Sequence, residues 1–297
     1  MFRIHSSCAV ALVFVVASCC SQPADTSGQP AGAAQAESSH AAAAGVTGAV
    51  SEAEFMKLHE LHAGVPPELH GVAVDVSGAR GYLSLPAGKT PPLGGIVVVH
   101  EWWGLNDHVK HWADRLAAEG YAALAIDLYG GVVATTPDAA LAAMKGVDEA
   151  KSRATLLAAH RFLAEDPRVR ATRRGCIGWC FGGSKSLALA LAAPDLDACV
   201  VYYGSQLVTD PAQLAGLHAP LLCVFGSRDK SIPAEKIKAF DAALTAANKP
   251  HEILTYDAEH AFANPSNEKA YNSAHAADAW EHVRKFFAQH LATTHAQ

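Results

Sequence analysis

Cys180 stands in the run Gly178-Trp179-Cys180-Phe181-Gly182, a thiol with a glycine two residues to either side. Gly175-Cys176-Ile177 leads into it, small and apolar, and the Ala/Leu-rich stretch 184–193 predicts a helix beyond. A strand, a one-residue elbow and a helix form the setting that presents a nucleophile on a strained turn. The glycines then have a steric task, because backbone passing this close leaves no room for a Cβ. A glycine-flanked cysteine can equally be a packed core thiol. The rest of the chain has to decide.

Downstream, residues 221–225 (Leu-Leu-Cys-Val-Phe) predict a buried strand, and Gly226-Ser227-Arg228-Asp229 is the loop leaving it. Residues 252–256 predict another, followed by Asp257-Ala258-Glu259-His260-Ala261-Phe262. Asp229 and His260 thus fall just past strand C-termini, where ligand crevices open in a doubly wound sheet. Nucleophile, acid, then histidine is the chain order of an α/β-hydrolase triad. The attacking species would be the thiolate. His260 can take the proton, and Asp229 can orient the imidazole and stabilise its charged form. Attack on an ester carbonyl develops an oxyanion. The N–H of Phe181 at the helix start is one donor for it, and a second is expected from the loop after the strand at 95–100.

The elements that must position these groups alternate along the chain. Strands are expected at 72–76, 81–85, 95–100, 122–126, 175–178, 198–203, 220–225 and 252–256. Helices are expected at 108–119, 137–144, 148–165, 184–193, 233–247 and 267–291. This alternation predicts an α/β fold with a mostly parallel central sheet of about eight strands and helices on both faces. Several strands are apolar throughout, as burial on both faces requires. The roughly 230 residues after the N-terminal segment suit one domain with a full-sized core. A net charge of −6, without Lys/Arg clusters, speaks against nucleic acid.

The chain resembles the dienelactone hydrolase family of the α/β-hydrolase superfamily over residues 68–291. The matching pieces are His100-Glu101-Trp102-Trp103-Gly104-Leu105-Asn106, Gly120-Tyr121-Ala122, Asp127-Leu128-Tyr129-Gly130, residues 178–183, Gly226 to Asp229, and His260-Ala261-Phe262-Ala263. The resemblance implies a Cys180-Asp229-His260 triad acting through a thioester acyl-enzyme. It also implies Trp102 N–H as the second oxyanion donor, and a Glu101 carboxylate against the resting thiol. A negative carboxylate there disfavours a second negative charge, so the thiol would stay protonated until substrate displaces Glu101. Family enzymes acting on dienelactone hold its carboxylate with arginines. One lies four residues after the catalytic histidine, where this chain has Asn264. Another follows the Asp-Leu-Tyr motif, where this chain has no Arg between Tyr129 and Asp148. A carboxylate clamp wants a guanidinium fork, so the expected substrate is a different small ester, lactone or thioester. No cofactor or metal is expected.

Trp102, Trp103, Trp179 and Tyr129 could line a substrate pocket, with core packing as the competing reading; Asn264 is a further pocket candidate. Cys176, Cys199 and Cys223 read as inert core residues. His108 and His111 lie three apart on a helix without a third metal ligand, and read as a solvated face. At the N-terminus, Met1-Phe2-Arg3 and the apolar run 9–17 read as a signal peptide over residues 1–19. Val16-Ala17-Ser18-Cys19 reads as a lipoprotein box with Cys19 as the lipid attachment site, the competing reading being an ordinary secretory signal. Residues 20–55 read as a low-complexity spacer, and 56–297 as the hydrolase domain. The expectation is an exported periplasmic lipoprotein, touching membrane only through its N-terminal lipid, with a monomer favoured. Rival readings are a thioesterase or carbohydrate acyl esterase on the same site, or an envelope-tethered binding protein without turnover.

Overall fold

The computed structural model describes Phe55 and residues 68–292. The expected signal peptide, Cys19 and residues 20–54 of the expected spacer lie outside the described residues. Eight strands run β1 Val72–Val76, β2 Ala79–Ser84, β3 Gly94–Val99, β4 Ala122–Ile126, β5 Arg173–Trp179, β6 Ala198–Tyr202, β7 Leu221–Gly226 and β8 His251–Tyr256. They form one sheet in the order β1-β2-β4-β3-β5-β6-β7-β8. The β1–β2 hairpin joins β4 antiparallel, and every other pairing is parallel. The helices are α1 Asp107–Ala118, α2 Pro137–Lys145, α3 Glu149–Glu165, α4 Phe181–Ala192, α5 Ala234–Ala246 and α6 Ser273–Leu291.

The burial pattern follows from the sequence. Every residue of β3, β4, β6 and β7 is buried, as parallel strands covered on both faces must be. The edge strands β1 and β8 alternate in exposure instead. The sheet thereby places β5, with the elbow at its end, between β3 and β6.

Four expectations need correction. The last helix begins at Ser273 rather than 267, because the Asn272 side chain accepts from His275 N at 3.1 Å and caps it there. The helix expected from 184 begins at Phe181, since Cys180 itself occupies the cap position. His108 and His111 are buried rather than solvated. Helix α1 packs on β4 and β2 with one side, and Trp112 meets Phe55 and Trp280 at 4.3 and 5.3 Å between ring centroids. Phe55, assigned to the spacer, is fully buried in that cluster. The guanidinium of Arg115 lies 4.3 Å from the Trp280 ring and 4.4 Å from Phe55, a cation packed among aromatic faces.

Candidate active site

At the end of β5 the chain turns at Cys180 with φ 56° and ψ −115°, outside the regions an L-residue favours. Such a conformation costs about 1–3 kcal/mol and persists only where its surroundings hold it. Here Cys180 N donates to Tyr202 O at 3.0 Å, and Cys180 O accepts from Ser184 N at 3.2 Å. The flanking glycines show the close approach their sequence positions predicted. A Cβ on Gly178 would collide with the Gly182 carbonyl, and one on Gly182 with the carbonyls of Val99 and His100. Helix α4 can therefore start directly against β5 and β3. Strain recurs nearby, with Tyr203 just past β6 at φ 36° and Ala261 beside His260 at φ 62°.

His260 Nδ1 donates to Asp229 Oδ2 at 2.6 Å. Asp229 is buried, and its Oδ1 accepts from Ser231 N at 2.8 Å and from the Ser231 hydroxyl. Burial alone would raise the Asp229 carboxyl, but the hydrogen bonds from His260 and Ser231 hold it below its ordinary range. The Ser231 hydroxyl lies 3.4 Å from the same Nδ1, and Cys180 is close enough to His260 to influence its proton. Burial opposes charging the imidazole. Interactions with Asp229 and then with Cys180 outweigh it and push His260 up to about 10. Asp229 and His260 are thus joined by a hydrogen bond, with Cys180 beside the imidazole.

Glu101 is buried beside them, 3% exposed. Its Oε2 accepts from Asn264 Nδ2 at 2.6 Å, and its Oε1 has no partner. Neither oxygen hydrogen-bonds the thiol, which differs from the contact the resemblance implied. Burial raises this carboxyl to about 7, against the positive field of His260 and the Asn264 hydrogen bond. Near neutrality it is only partly ionised, and its charge is balanced by His260. Asn264, expected as a pocket residue, is a buried clamp on Glu101.

Tyr203 was not anticipated as a site residue. It is fully buried, its ring centroid 5.1 Å from that of His260. Burial, then the charges of Glu101, Tyr202, Cys180 and Asp229, raise its hydroxyl well above the ordinary tyrosine value. The Tyr129 hydroxyl is likewise raised by burial and then by its proximity to Cys180. The hydroxyls of Tyr203 and Tyr129 are both buried without a hydrogen-bond partner. Glu101 Oε1 is a third buried polar atom without a partner.

Behind Tyr129, His100 is fully buried and 4.6 Å from it between ring centroids. His100 Nε2 accepts from Leu128 N at 3.1 Å, which leaves Nδ1 to donate to Glu101 O at 2.6 Å. Burial lowers its pKa, so the ring is neutral and ties the β3 and β4 loops together. Phe181 stacks on it at 5.6 Å. The N–H groups of Phe181 and Trp102 donate to no protein acceptor among the described residues. Trp102 and Trp103 are half-buried and meet edge-on at 4.9 Å. Trp179 is core, stacked on Trp112 at 4.5 Å and on Tyr202 at 5.6 Å. Cys176, Cys199 and Cys223 are buried and, like Cys180, free. Among the described residues no group of three or more His, Cys, Asp or Glu is arranged to hold a metal ion.

An eight-stranded, mostly parallel sheet with a strained elbow at its centre and an acid and a histidine beyond later strands defines an α/β-hydrolase fold. The sequence model of the dienelactone hydrolase family matches residues 79–291, and the chain belongs to that family. A Salmonella typhimurium relative named "Putative carboxymethylenebutenolidase" is 33% identical over 235 residues, spanning 70% of this chain and 82% of its own. Protein usf of Aquifex pyrophilus is 31% identical over 232 residues, spanning 75% and 96%. The crystal structure of a dienelactone hydrolase-like promiscuous phosphotriesterase from metagenomic libraries superposes with a TM-score of 0.68 at 28% identity. That alignment covers 75% of this chain and 98% of the other.

Proposed function

We propose that this hydrolase cleaves a carboxylic ester, lactone or thioester with Cys180 as nucleophile. The observation that carries the reading is His260, hydrogen-bonded to Asp229 at 2.6 Å, with Cys180 beside it on the strained elbow. Cys180 Sγ attacks the carbonyl carbon as the thiolate, its proton held by His260, and the carbonyl electron pair moves onto oxygen. The N–H groups of Phe181 and Trp102 stabilise that oxyanion, each donor being worth about 3–4 kcal/mol in the transition state. Collapse of the intermediate breaks the bond to the leaving group, which departs with the proton from His260. A water deprotonated by His260 then attacks the thioester, releasing the acid and restoring the thiol. Asp229 fixes the imidazole tautomer throughout. Glu101, Asn264 and Tyr203 surround the triad as positioning residues.

The substrate reading follows from charge. With Asn264 committed to Glu101, no guanidinium stands after the catalytic histidine to clamp a carboxylate, so an uncharged ester fits this site better than dienelactone. Thioesters and acylated carbohydrates are further members of the same substrate panel. We further propose that residues 1–19 direct export, that Cys19 carries the lipid, and that the enzyme works as a periplasmic monomer. The test is hydrolysis of p-nitrophenyl acetate and butyrate by the full chain and by Cys180→Ala. Turnover by the wild type and none by the variant supports thiol catalysis. Equal rates in both overturn thiol catalysis, and no turnover by freshly reduced wild type across an ester and thioester panel overturns it in favour of a binding protein.

A further inference from the structure

A cavity of about 1020 Å³ lies between the β1–β2 turn, the loop after β4, helix α2 and the first half of α3. Ligand-binding cavities run to roughly 1,000 Å³, so its size is that of a site rather than a packing fault. Its wall is apolar and built from small residues, among them Val76, Ala79, Val132, Ala142, Val147 and Ala158. Helix α2 contributes only Ala140 to the core. Among the described residues the exposed large apolar side chains are Val132, Val133 and Leu141, and all three belong to the segments that wall this cavity.

One end of the cavity is polar. Lys151 and Ser152 line it from the first turn of α3, and Arg80 lines it from β2. The Ser152 side chain is buried at 4% exposure, and its hydroxyl has no hydrogen-bond partner. The N-terminus of a 17-residue helix adds a favourable field for negative charge. Two carboxylates also face this space, and both are engaged. Asp127 accepts from Tyr129 N at 2.8 Å and from Gly131 N, and Asp148 caps α3 by accepting from Lys151 N at 2.9 Å. The ammonium of Lys151 and the guanidinium of Arg80 form no ion pair among the described residues.

We propose that this cavity is a second binding site, separate from the thiol, for an amphiphilic monocarboxylate such as a medium-chain fatty acid. The apolar body occupies the alanine- and valine-lined space. The carboxylate accepts hydrogen bonds from the Ser152 hydroxyl and pairs with Lys151 and Arg80 at the start of α3. Tyr129 lines the cavity and stands in the field of Cys180, so its loop is shared by the two sites. The proposal does not depend on the esterase reading.

The test is calorimetric titration of the full chain with decanoate, repeated with decanol and with acetate. Saturable binding of one decanoate per chain is expected. Lys151→Met should weaken decanoate roughly tenfold and leave decanol unchanged. Ala142→Trp, at an exposed cavity-facing position, should abolish binding of both, and Ala154→Trp on the opposite wall should do the same if the first is poorly folded. Cys180→Ala should bind decanoate as the wild type does. Absence of saturable binding overturns the proposal. So does binding that survives both tryptophan substitutions, because the ligand then lies elsewhere, the catalytic cleft included.

Discussion

Replacing Glu101 by Gln isolates the cost of a buried carboxylate next to the site. Gln keeps the side-chain volume and an oxygen to accept from Asn264 Nδ2, so the variant removes the charge and little else. Burial raises the carboxyl from 4.5 to about 7. Below about pH 4.5 it is neutral in both folded and unfolded chains and costs nothing. Between 4.5 and 7 the folded state binds one more proton than the unfolded, so stability falls as pH rises. Above 7 the carboxylate is charged in both states and the loss is complete. At about 1.4 kcal/mol per pH unit across that interval, the loss amounts to about 3 kcal/mol. Glu101→Gln should therefore gain stability over the wild type progressively from pH 4.5 to 7, by about 3 kcal/mol in total, and gain no more beyond. Urea unfolding of both proteins at pH 5, 6, 7 and 8 measures it. A difference that stays flat across this range refutes the reasoning, because burial would then not control the Glu101 proton.

Further outcomes follow from individual contacts. Gly182→Ala should cost about 2–3 kcal/mol in urea unfolding, because the new Cβ collides with the Val99 and His100 carbonyls. Asp229→Asn should preserve the fold but lower kcat roughly 10³–10⁴-fold, since His260 loses the acceptor that fixes its tautomer; initial rates on a p-nitrophenyl ester check it. Asn272→Ala should destabilise by about 1 kcal/mol without changing kcat, because it removes the side-chain cap of α6 and keeps the bond from the Asn272 N–H to Phe262 O; a shifted urea midpoint with unchanged turnover checks both halves.

The fold was legible where periodicity is strong. The runs through Ile96, Leu124, Val200 and Leu222 are short and apolar on both sides of the chain, which fits a strand buried on two faces. The elbow was legible because Gly178 and Gly182 are needed for a close approach that no other residue allows. What sequence did not display depends on neighbours distant along the chain. Asn264 grips Glu101 across 163 residues, and nothing local in either segment announces the pair. Tyr203 reads as one more strand-end residue until β6 is set beside β5. His108 and His111 look solvated on α1 considered alone, and become buried because aromatic side chains from Phe55 and α6 pack over the helix. The Asn272 and Asn106 caps were local signals left unread; an Asn before a helical pattern is a start marker.

The central claim is that Cys180 carries the acyl group. The most direct measurement is mass spectrometry of the full chain quenched with acid during turnover of p-nitrophenyl acetate, followed by peptide mapping. The account predicts one acetyl group on the peptide containing Cys180, lost on longer incubation and absent in Cys180→Ala. Turnover with no label on that peptide, or a label that persists on another nucleophile, would contradict it.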